Sequence, residues 1–157
     1  MSKDTTKKVS RIKVKKKTWY RILSPKLFGE KELGETYLSS PESALGRMMK
    51  INLKDLTGNI KDQKIYISFT IDKIDGSTLR TSATGYELTS MSVKRMVRKS
   101  TDRLDDYVVF RSKDGKDVVA KTLVITMFPT QRSAQKQIRK LFKELLEEEI
   151  SKNTYDG

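Results

Sequence analysis

The stretch KIYISFTIDKIDGSTLRTSATGY, residues 64–86, decides the fold because it reads as two strands joined by a tight turn. Apolar residues recur at every second position from Ile65 to Ile71, which is the period of a half-buried strand. Asp75-Gly76 is typical of a two-residue hairpin turn. The chain should therefore return antiparallel through residues 78–86, with Leu79, Thr81 and Ala83 pointing inward.

A second hairpin is predicted around Asp114-Gly115, between strands at residues 106–112 and 117–128. The second of these strands carries apolar residues at both odd and even positions, and so on both of its faces. We therefore expect it to be central and covered on both faces, with Pro129 ending it.

Three helices are predicted, and the last, over residues 130–150, has the clearest apolar periodicity. A short helix should begin at Ser40-Pro41, and another should run from a Thr89 cap to about Lys99. A strand at 47–53 and a turn at 55–59, with Gly58 at positive φ, complete the pattern. The fold class is α+β: a small antiparallel β-barrel-like domain with two or three flanking helices.

The N-terminal segment is strongly basic, with nine cationic residues against one acid before residue 22. Such a segment repels itself and buries too little apolar surface to fold alone. We interpret residues 1–18 as a disordered basic arm that binds RNA, and residues 19–157 as a single domain ending in an amphipathic helix. A purely solubilising tail is the alternative interpretation of the arm.

The amino-acid composition excludes several classes of function. The formal charge of +13 on 157 residues indicates a polyanionic partner. The chain contains neither cysteine nor histidine, which excludes disulfides, thiolate or imidazole metal sites and histidine-based catalysis. No long apolar segment or signal-peptide pattern is present, so we expect a cytoplasmic protein without membrane contact.

Two adjacent aromatic residues follow the arm, and unpaired bases stack on such rings. A basic arm followed directly by aromatic rings favours RNA as the binding partner. The alternative is that Trp19, Tyr20 and Phe28 only anchor the arm to a domain core.

Several ordered segments resemble the archaeal and eukaryotic small-subunit ribosomal protein family called eS-one or S-three-Ae. The resemblance extends from Lys15 to about Lys140. It is carried by Trp19-Tyr20, SPKLFGE at 24–30, GET at 34–36, DLTG at 55–58, GYELT at 85–89, RMVRKSTDRLDD at 95–106 and TQRSAQKQIRK at 130–140. Family members continue into a longer helical C-terminal region, whose contacts are not carried over to a sequence that ends at Gly157.

The resemblance implies a β-barrel-like domain flanked by helices, located on the small-subunit platform near the messenger-RNA exit and the 3′ end of the small-subunit RNA. The expected partners are small-subunit ribosomal RNA and neighbouring platform proteins, with messenger RNA as a further candidate. We expect no small-molecule substrate and no cofactor.

Cations of the arm and of two helices should bind the RNA backbone, and the aromatic pair should stack on an unpaired base. The candidate RNA-binding residues are Lys13, Lys15, Lys16, Lys17, Trp19, Tyr20, Arg21, Lys26, Lys94, Arg95, Arg98, Lys99, Arg103, Arg132, Lys136, Arg139 and Lys140.

The sequence offers three alternative functions. A magnesium-assisted nuclease would need Asp72, Asp75, Asp105 and Asp106, but the adjacent pair would point to opposite faces of a strand. We therefore expect no enzymatic activity. A free-standing translation regulator that visits RNA transiently is the main alternative, and a basic protein–protein adaptor is the third.

Overall fold

A computed structural model of the chain describes residues 16–155, which divide into two compact units at the boundary between Thr89 and Ser90. The predicted single domain over residues 19–157 spans both units and stays a prediction. The described strands are β1 (Thr18–Leu23), β2 (Glu32–Leu38), β3 (Met48–Asn52), β4 (Ile65–Asp75), β5 (Thr78–Leu88), β6 (Arg103–Arg111) and β7 (Asp117–Ile125). The described helices are α1 (Leu53–Thr57), α2 (Ser90–Met96) and α3 (Arg132–Lys152).

The first unit is built on a five-stranded sheet with the order β2-β1-β5-β4-β3. Its neighbours are antiparallel except for β1 and β5, which run parallel. Within residues 16–155, β2 and β3 form opposite edges, so the sheet is open. The α+β class is confirmed, whereas "barrel-like" describes this sheet only loosely.

The β4–β5 hairpin forms, and its two turn residues are Gly76 and Ser77, one position later than the predicted Asp75-Gly76. Asp75 pairs with Thr78, and Gly76 takes a φ of 58°, which suits a residue without a side chain. Ile67, Phe69 and Ile71 on β4 are buried and alternate with more exposed residues. The inward residues predicted on β5 are Leu79 and Thr81, which are buried, and Ala83, which is half-buried.

Two apolar clusters lie on the inner face of this sheet. Phe69 and Leu79 are completely buried, and burial of each such side chain contributes about 1.5–3 kcal/mol. One cluster consists of Ile22, Leu38, Ala44, Ile71 and Leu79, and the other of Leu56, Ile67 and Phe69.

The short elements between strands refine the sequence predictions. The helix expected at Ser40-Pro41 is a single 3₁₀ turn over Pro41–Ala44. The predicted turn at 55–59 is instead the end of α1, whose first turn is capped by the Asn52 side chain accepting from the Lys54 N–H at 3.0 Å. Gly58 ends this helix at a φ of 76°, as expected.

The second unit contains the β6–β7 hairpin, with Arg111 paired to Asp117 and Gly115 at a φ of 76°. The prediction that β7 is central was wrong: among the described residues it pairs only with β6, and Val119 is half exposed. β-Branched residues favour an extended backbone whichever face of the strand they lie on. A run of apolar residues can therefore form a strand without other elements packed on both of its faces.

Helix α2 ends at Met96, earlier than the predicted Lys99. The Arg98 N–H is hydrogen-bonded to the Thr101 hydroxyl at 3.0 Å, and that hydroxyl donates to the Arg98 carbonyl at 2.8 Å. A threonine that bonds the local backbone competes with helix continuation. The cations at 98 and 99 therefore lie in a turn and not on the helix.

Helix α3 packs against β6 and agrees with the predicted 130–150 helix to within two residues at each end. Its half-buried apolar stripe is Ala134, Ile138, Phe142, Leu146 and Ile150. Leu141 and Leu145, which also fitted the periodicity, are about 60% exposed because they fall to one side of that stripe.

Candidate nucleic-acid interface

Successive side chains of strand β1 lie on opposite faces of the sheet. Trp19 and Arg21 are exposed, whereas Tyr20 is half-buried and Ile22 is buried. This alternation follows from the period of two in a strand. Lys17, immediately before the strand, is also exposed. Strand β1, which lies between β2 and β5, thus presents a cation, an indole and a second cation in a row at alternate positions.

Trp19 has an aromatic neighbour that the sequence analysis missed. It pairs directly with Tyr37 of β2, and the two ring centroids are 4.9 Å apart with the planes tilted by 38°. Trp19 is 63% exposed and Tyr37 is 49% exposed. The Lys17 ammonium lies 5.8 Å from the Tyr37 ring centroid, within reach of a cation–π contact. We call Lys17, Trp19 and Tyr37 the aromatic platform.

The structure separates the three aromatics for which a purely structural role was considered. Tyr20 packs against the cluster of Ile22 and Leu38, and Phe28 lies edge-on to Phe69 with centroids 5.6 Å apart. These two rings serve the core. Trp19 does not, because most of its surface faces solvent. The RNA-binding role assigned to Tyr20 stays a prediction, and its packing already accounts for the ring.

Two further predicted residues of the first unit differ in their partners. The Arg21 guanidinium lies 3.7 Å from Glu35 and 4.0 Å from Glu32. Lys26 is exposed and makes no ion pair among residues 16–155. Lys16 is likewise exposed, whereas Lys13 and Lys15 lie outside the described residues.

In the second unit, a cluster of exposed cations surrounds the end of α2. Arg95 donates weakly to the Met91 sulfur, and Arg103 pairs with Asp105 at 2.8 Å. We call Lys94, Arg95, Arg98 and Lys99 the α2 cluster. None of these four residues has an acidic partner in the described part of the chain.

Helix α3 carries a second basic surface along one flank. At 3.6 residues per turn, the five cations between Arg132 and Lys143 fall within roughly 100° of arc, and Lys152 lies outside it. Arg139 contacts Asp106 and Lys140 lies 3.8 Å from Glu144, while the remaining three have no acid within 4.0 Å in residues 16–155. Lys143 was not among the predicted residues, although it falls on the same flank. The α3 basic flank consists of Arg132, Lys136, Arg139, Lys140 and Lys143.

A groove of about 330 Å³ lies between this flank and the hairpin. Its apolar lining includes Val108, Phe142 and Leu146, and its rim includes Lys140 and Lys143. The groove therefore combines an apolar lining with cationic side chains at its rim.

Both ends of α3 are fixed to the hairpin. At the start, Asp102 accepts hydrogen bonds from the Thr130 N–H at 2.7 Å, the Thr130 hydroxyl and the Gln135 amide at 3.0 Å. The backbone bond from Thr130 is the main reason that the pKa of Asp102 is lowered, because these donors favour the ionised form. At the other end, Ser112 donates to the Asn153 carbonyl and Asp114 accepts from the Tyr155 N–H.

The carboxylates considered for a nuclease are mostly engaged with arginines. Asp75 pairs with Arg80, Asp105 with Arg103, and Asp106 with Arg139. In the described part of the chain, no three acidic side chains gather into a group that could hold a metal ion. None of the helices described here combines the length and apolarity needed to cross a membrane.

Comparison with known proteins gives one consistent result. The model of the Ribosomal S3Ae family matches residues 5–157. The chain is 37% identical over 142 residues to small ribosomal subunit protein eS1 of Methanothermobacter thermautotrophicus, covering 90% of this chain and 73% of that protein. It is 32% identical over 156 residues to the protein of the same name in Methanobrevibacter smithii, covering 99% and 81%. The corresponding values for Saccharolobus islandicus are 32% over 144 residues, 92% and 69%.

Proposed function

The chain belongs to the ribosomal S3Ae family, and we propose that it is a structural constituent of the small ribosomal subunit in the cytoplasm. In this proposal it binds ribosomal RNA on the platform near the messenger-RNA exit and lies beside other platform proteins. Its role is to position RNA by charge and shape, with no catalytic step. The family match over residues 5–157 is the observation that carries this conclusion.

The distribution of unpaired cations supports RNA as the partner. Exposed lysines and arginines without acidic neighbours are free to neutralise phosphates, and each such contact releases counterions. The α2 cluster and the α3 basic flank supply most of these groups in the second unit, and Lys16, Lys17 and Lys26 are among those of the first, which also exposes Lys61, Lys64 and Lys73.

The predicted RNA-binding residues do not contribute equally in this proposal. Arg21, Arg103 and Arg139 already contact carboxylates, so a phosphate would have to compete with Glu35, Asp105 or Asp106. These three arginines position their strands and helix as much as they bind RNA. The main phosphate contacts are assigned to Lys16, Lys17, Lys26, Lys94, Arg95, Arg98, Lys99, Arg132 and Lys136, with Lys13 and Lys15 added from the sequence. Lys140 lies 3.8 Å from Glu144, so a phosphate would have to compete with that carboxylate.

The charge order of α3 also supports an RNA backbone beside its first half. Cations at a helix N-terminus and acids at its C-terminus oppose the helix dipole, so the order does not serve the stability of the helix. Phosphates next to Arg132 and Lys136 would offset the repulsion among these cations. The acidic second half, with Glu144 and Glu147, is then available to basic neighbouring proteins.

The test of location is ultraviolet cross-linking in purified small subunits, followed by sequencing of the RNA attached to this chain. We expect cross-links concentrated near the 3′ end of the small-subunit RNA. Cross-links confined to a distant part of that RNA would reject the platform position, and their absence at full occupancy would reject RNA binding itself.

A further inference from the structure

We propose that the aromatic platform binds one unpaired RNA nucleotide, with its base stacked on Trp19, its phosphate near Lys17, and Tyr37 as the positioning residue behind the indole. This inference rests on the proposed RNA-binding function. It names the part of RNA that the platform recognises and adds Tyr37, which the sequence analysis did not assign.

The geometry of the two rings determines how a base can bind. A base inserted between two rings needs about 7 Å between them, since each contact requires roughly 3.5 Å. The centroids of Trp19 and Tyr37 are only 4.9 Å apart, so the rings already touch and leave no room. The base must therefore stack on the open side of Trp19, whose ring is 63% exposed.

Tyr37 holds the indole in place. It sits directly opposite Trp19 in the β1–β2 register, and its ring contacts the indole on one side while Lys17 lies 5.8 Å from its centroid. Cross-strand aromatic pairs of this kind restrict the ring orientation and stabilise the sheet. A fixed indole loses less conformational freedom when a base stacks on it.

Charge identifies the occupant as a nucleotide rather than an apolar peptide. Lys17 and Arg21 flank Trp19 on the same side of the chain, each about 6.6 Å away along an extended backbone. Arg21 is held by Glu32 and Glu35, whereas Lys17 has no acidic partner in residues 16–155. A phosphate is therefore expected on the Lys17 side, next to the basic arm. An apolar peptide would gain nothing from this cation.

The platform should select unpaired nucleotides because the base faces in a duplex are covered by their stacked neighbours. A duplex can still bind the cations of the chain through its phosphates. Binding of RNA phosphates by the cations can thus be distinguished from stacking of a base on Trp19 by comparing a duplex with a single strand.

Trp19 is the sole tryptophan in the sequence, so its fluorescence reports directly on the platform. The full-length chain is titrated with a uridine decamer, with an abasic phosphodiester decamer of equal length, and with a ten-base-pair RNA duplex. We expect quenching by the uridine decamer and little change with the other two at equal occupancy. Binding of the uridine decamer without quenching would overturn the inference.

Variants then test the role of each residue. Trp19→Ala should weaken binding of the uridine decamer roughly 5- to 150-fold, the range expected for one stacked base, and leave duplex binding unchanged. Tyr37→Ala should reduce both quenching and decamer affinity, and Tyr37→Phe should restore both because the ring contact is kept. Tyr86→Ala is the matched control, since this tyrosine lies in the same unit and is 65% exposed. Equal effects of Tyr37→Ala and Tyr86→Ala would contradict the assignment.

Lys17→Met should reduce the slope of log affinity against log salt by about 0.7, the value of one phosphate contact on a single strand. Arg21→Met should change it less. The reverse order would overturn the placement of the phosphate. If the chain binds all three probes equally without quenching, the stacking inference fails while RNA binding stands. If it binds none, and no ribosomal RNA, both fail.

Discussion

The Arg139 guanidinium of α3 lies 3.2 Å from the Asp106 carboxylate of β6, so one of the five cations on the α3 basic flank is committed to the protein's own packing. Its neighbour Lys136 is exposed and has no acidic partner among the described residues. Two cations on the same helix flank thus have different tasks: one fixes the helix to the hairpin, and the other is free for a phosphate.

This difference predicts opposite outcomes for two substitutions. Lys136→Met should lower the salt slope of RNA binding by about 0.7–0.9 with little change in stability. Arg139→Met should change that slope less and lower the free energy of unfolding by about 0.2–1 kcal/mol, the range for exposed ion pairs. Affinity titrations across salt concentrations and urea unfolding measure the two effects. Identical profiles for the two variants would refute the division of tasks.

Charge reversal of the α2 cluster tests whether location matters beyond net charge. Changing Lys94, Arg98 and Lys99 to Glu should weaken binding to ribosomal RNA at least tenfold and flatten its salt dependence, because three phosphate contacts are lost. The control changes Lys61, Lys64 and Lys73 to Glu, which alters the net charge equally on exposed residues outside the proposed interface. Filter binding should show a much smaller loss for the control. Equal losses would mean that binding depends only on overall charge.

Asp102 gives the second unit a defined response to acid. Its pKa is lowered chiefly by the Thr130 backbone N–H, so the folded state holds the ionised form more strongly than the unfolded state does. The resulting stabilisation is fully present above the unfolded pKa of about 3.9 and is lost as the pH falls through the lower pKa of the folded state. Asp102→Asn should therefore lower the thermal midpoint at pH 7 and reduce its decline below about pH 4. Circular-dichroism melting from pH 7 to pH 2 tests this, and a variant with an unchanged pH profile would exclude Asp102 as the cause.

The core of the first unit should respond strongly to loss of a buried side chain. Leu79 is completely buried, so Leu79→Ala should reduce the free energy of unfolding by about 2–5 kcal/mol. Leu27 is 66% exposed, and Leu27→Ala should stay within about 0.5 kcal/mol of the parent. Urea unfolding followed by Trp19 fluorescence reports on this unit directly. A small effect at Leu79 would show that this core is not packed as described.

Local patterns predicted the hairpins because their information is local. The alternation from Ile65 to Ile71 and the Asp75-Gly76 signal together predicted β4, the turn and β5, since a shift by one residue would expose the apolar face. Asp114-Gly115 likewise predicted the turn between β6 and β7, although the apolar run of β7 does not fix a register. By contrast, the layer over β7 depends on distant elements, and its apolar run misled the prediction.

The candidate interface was predictable only in part. Charge density identified the α2 cluster and most of the α3 basic flank, because exposed cations need no tertiary partner. Tyr37 was missed because neither β1 nor β2 was predicted from the sequence, and its contact with Trp19 depends on the pairing of these two strands. The alternation of exposed and buried residues along Thr18–Leu23 is the signal that could have indicated β1. The engagement of Arg139 by Asp106 is likewise a long-range contact that no local pattern encodes.

The most direct test of the central claim is sucrose-gradient sedimentation of native lysate, probing for this chain at low salt and after a high-salt wash. A structural constituent of the small subunit should co-migrate with small subunits at near-stoichiometric amounts and remain there after the wash. A peak of free protein, or complete release at modest salt, would contradict the account and favour a module that visits RNA transiently.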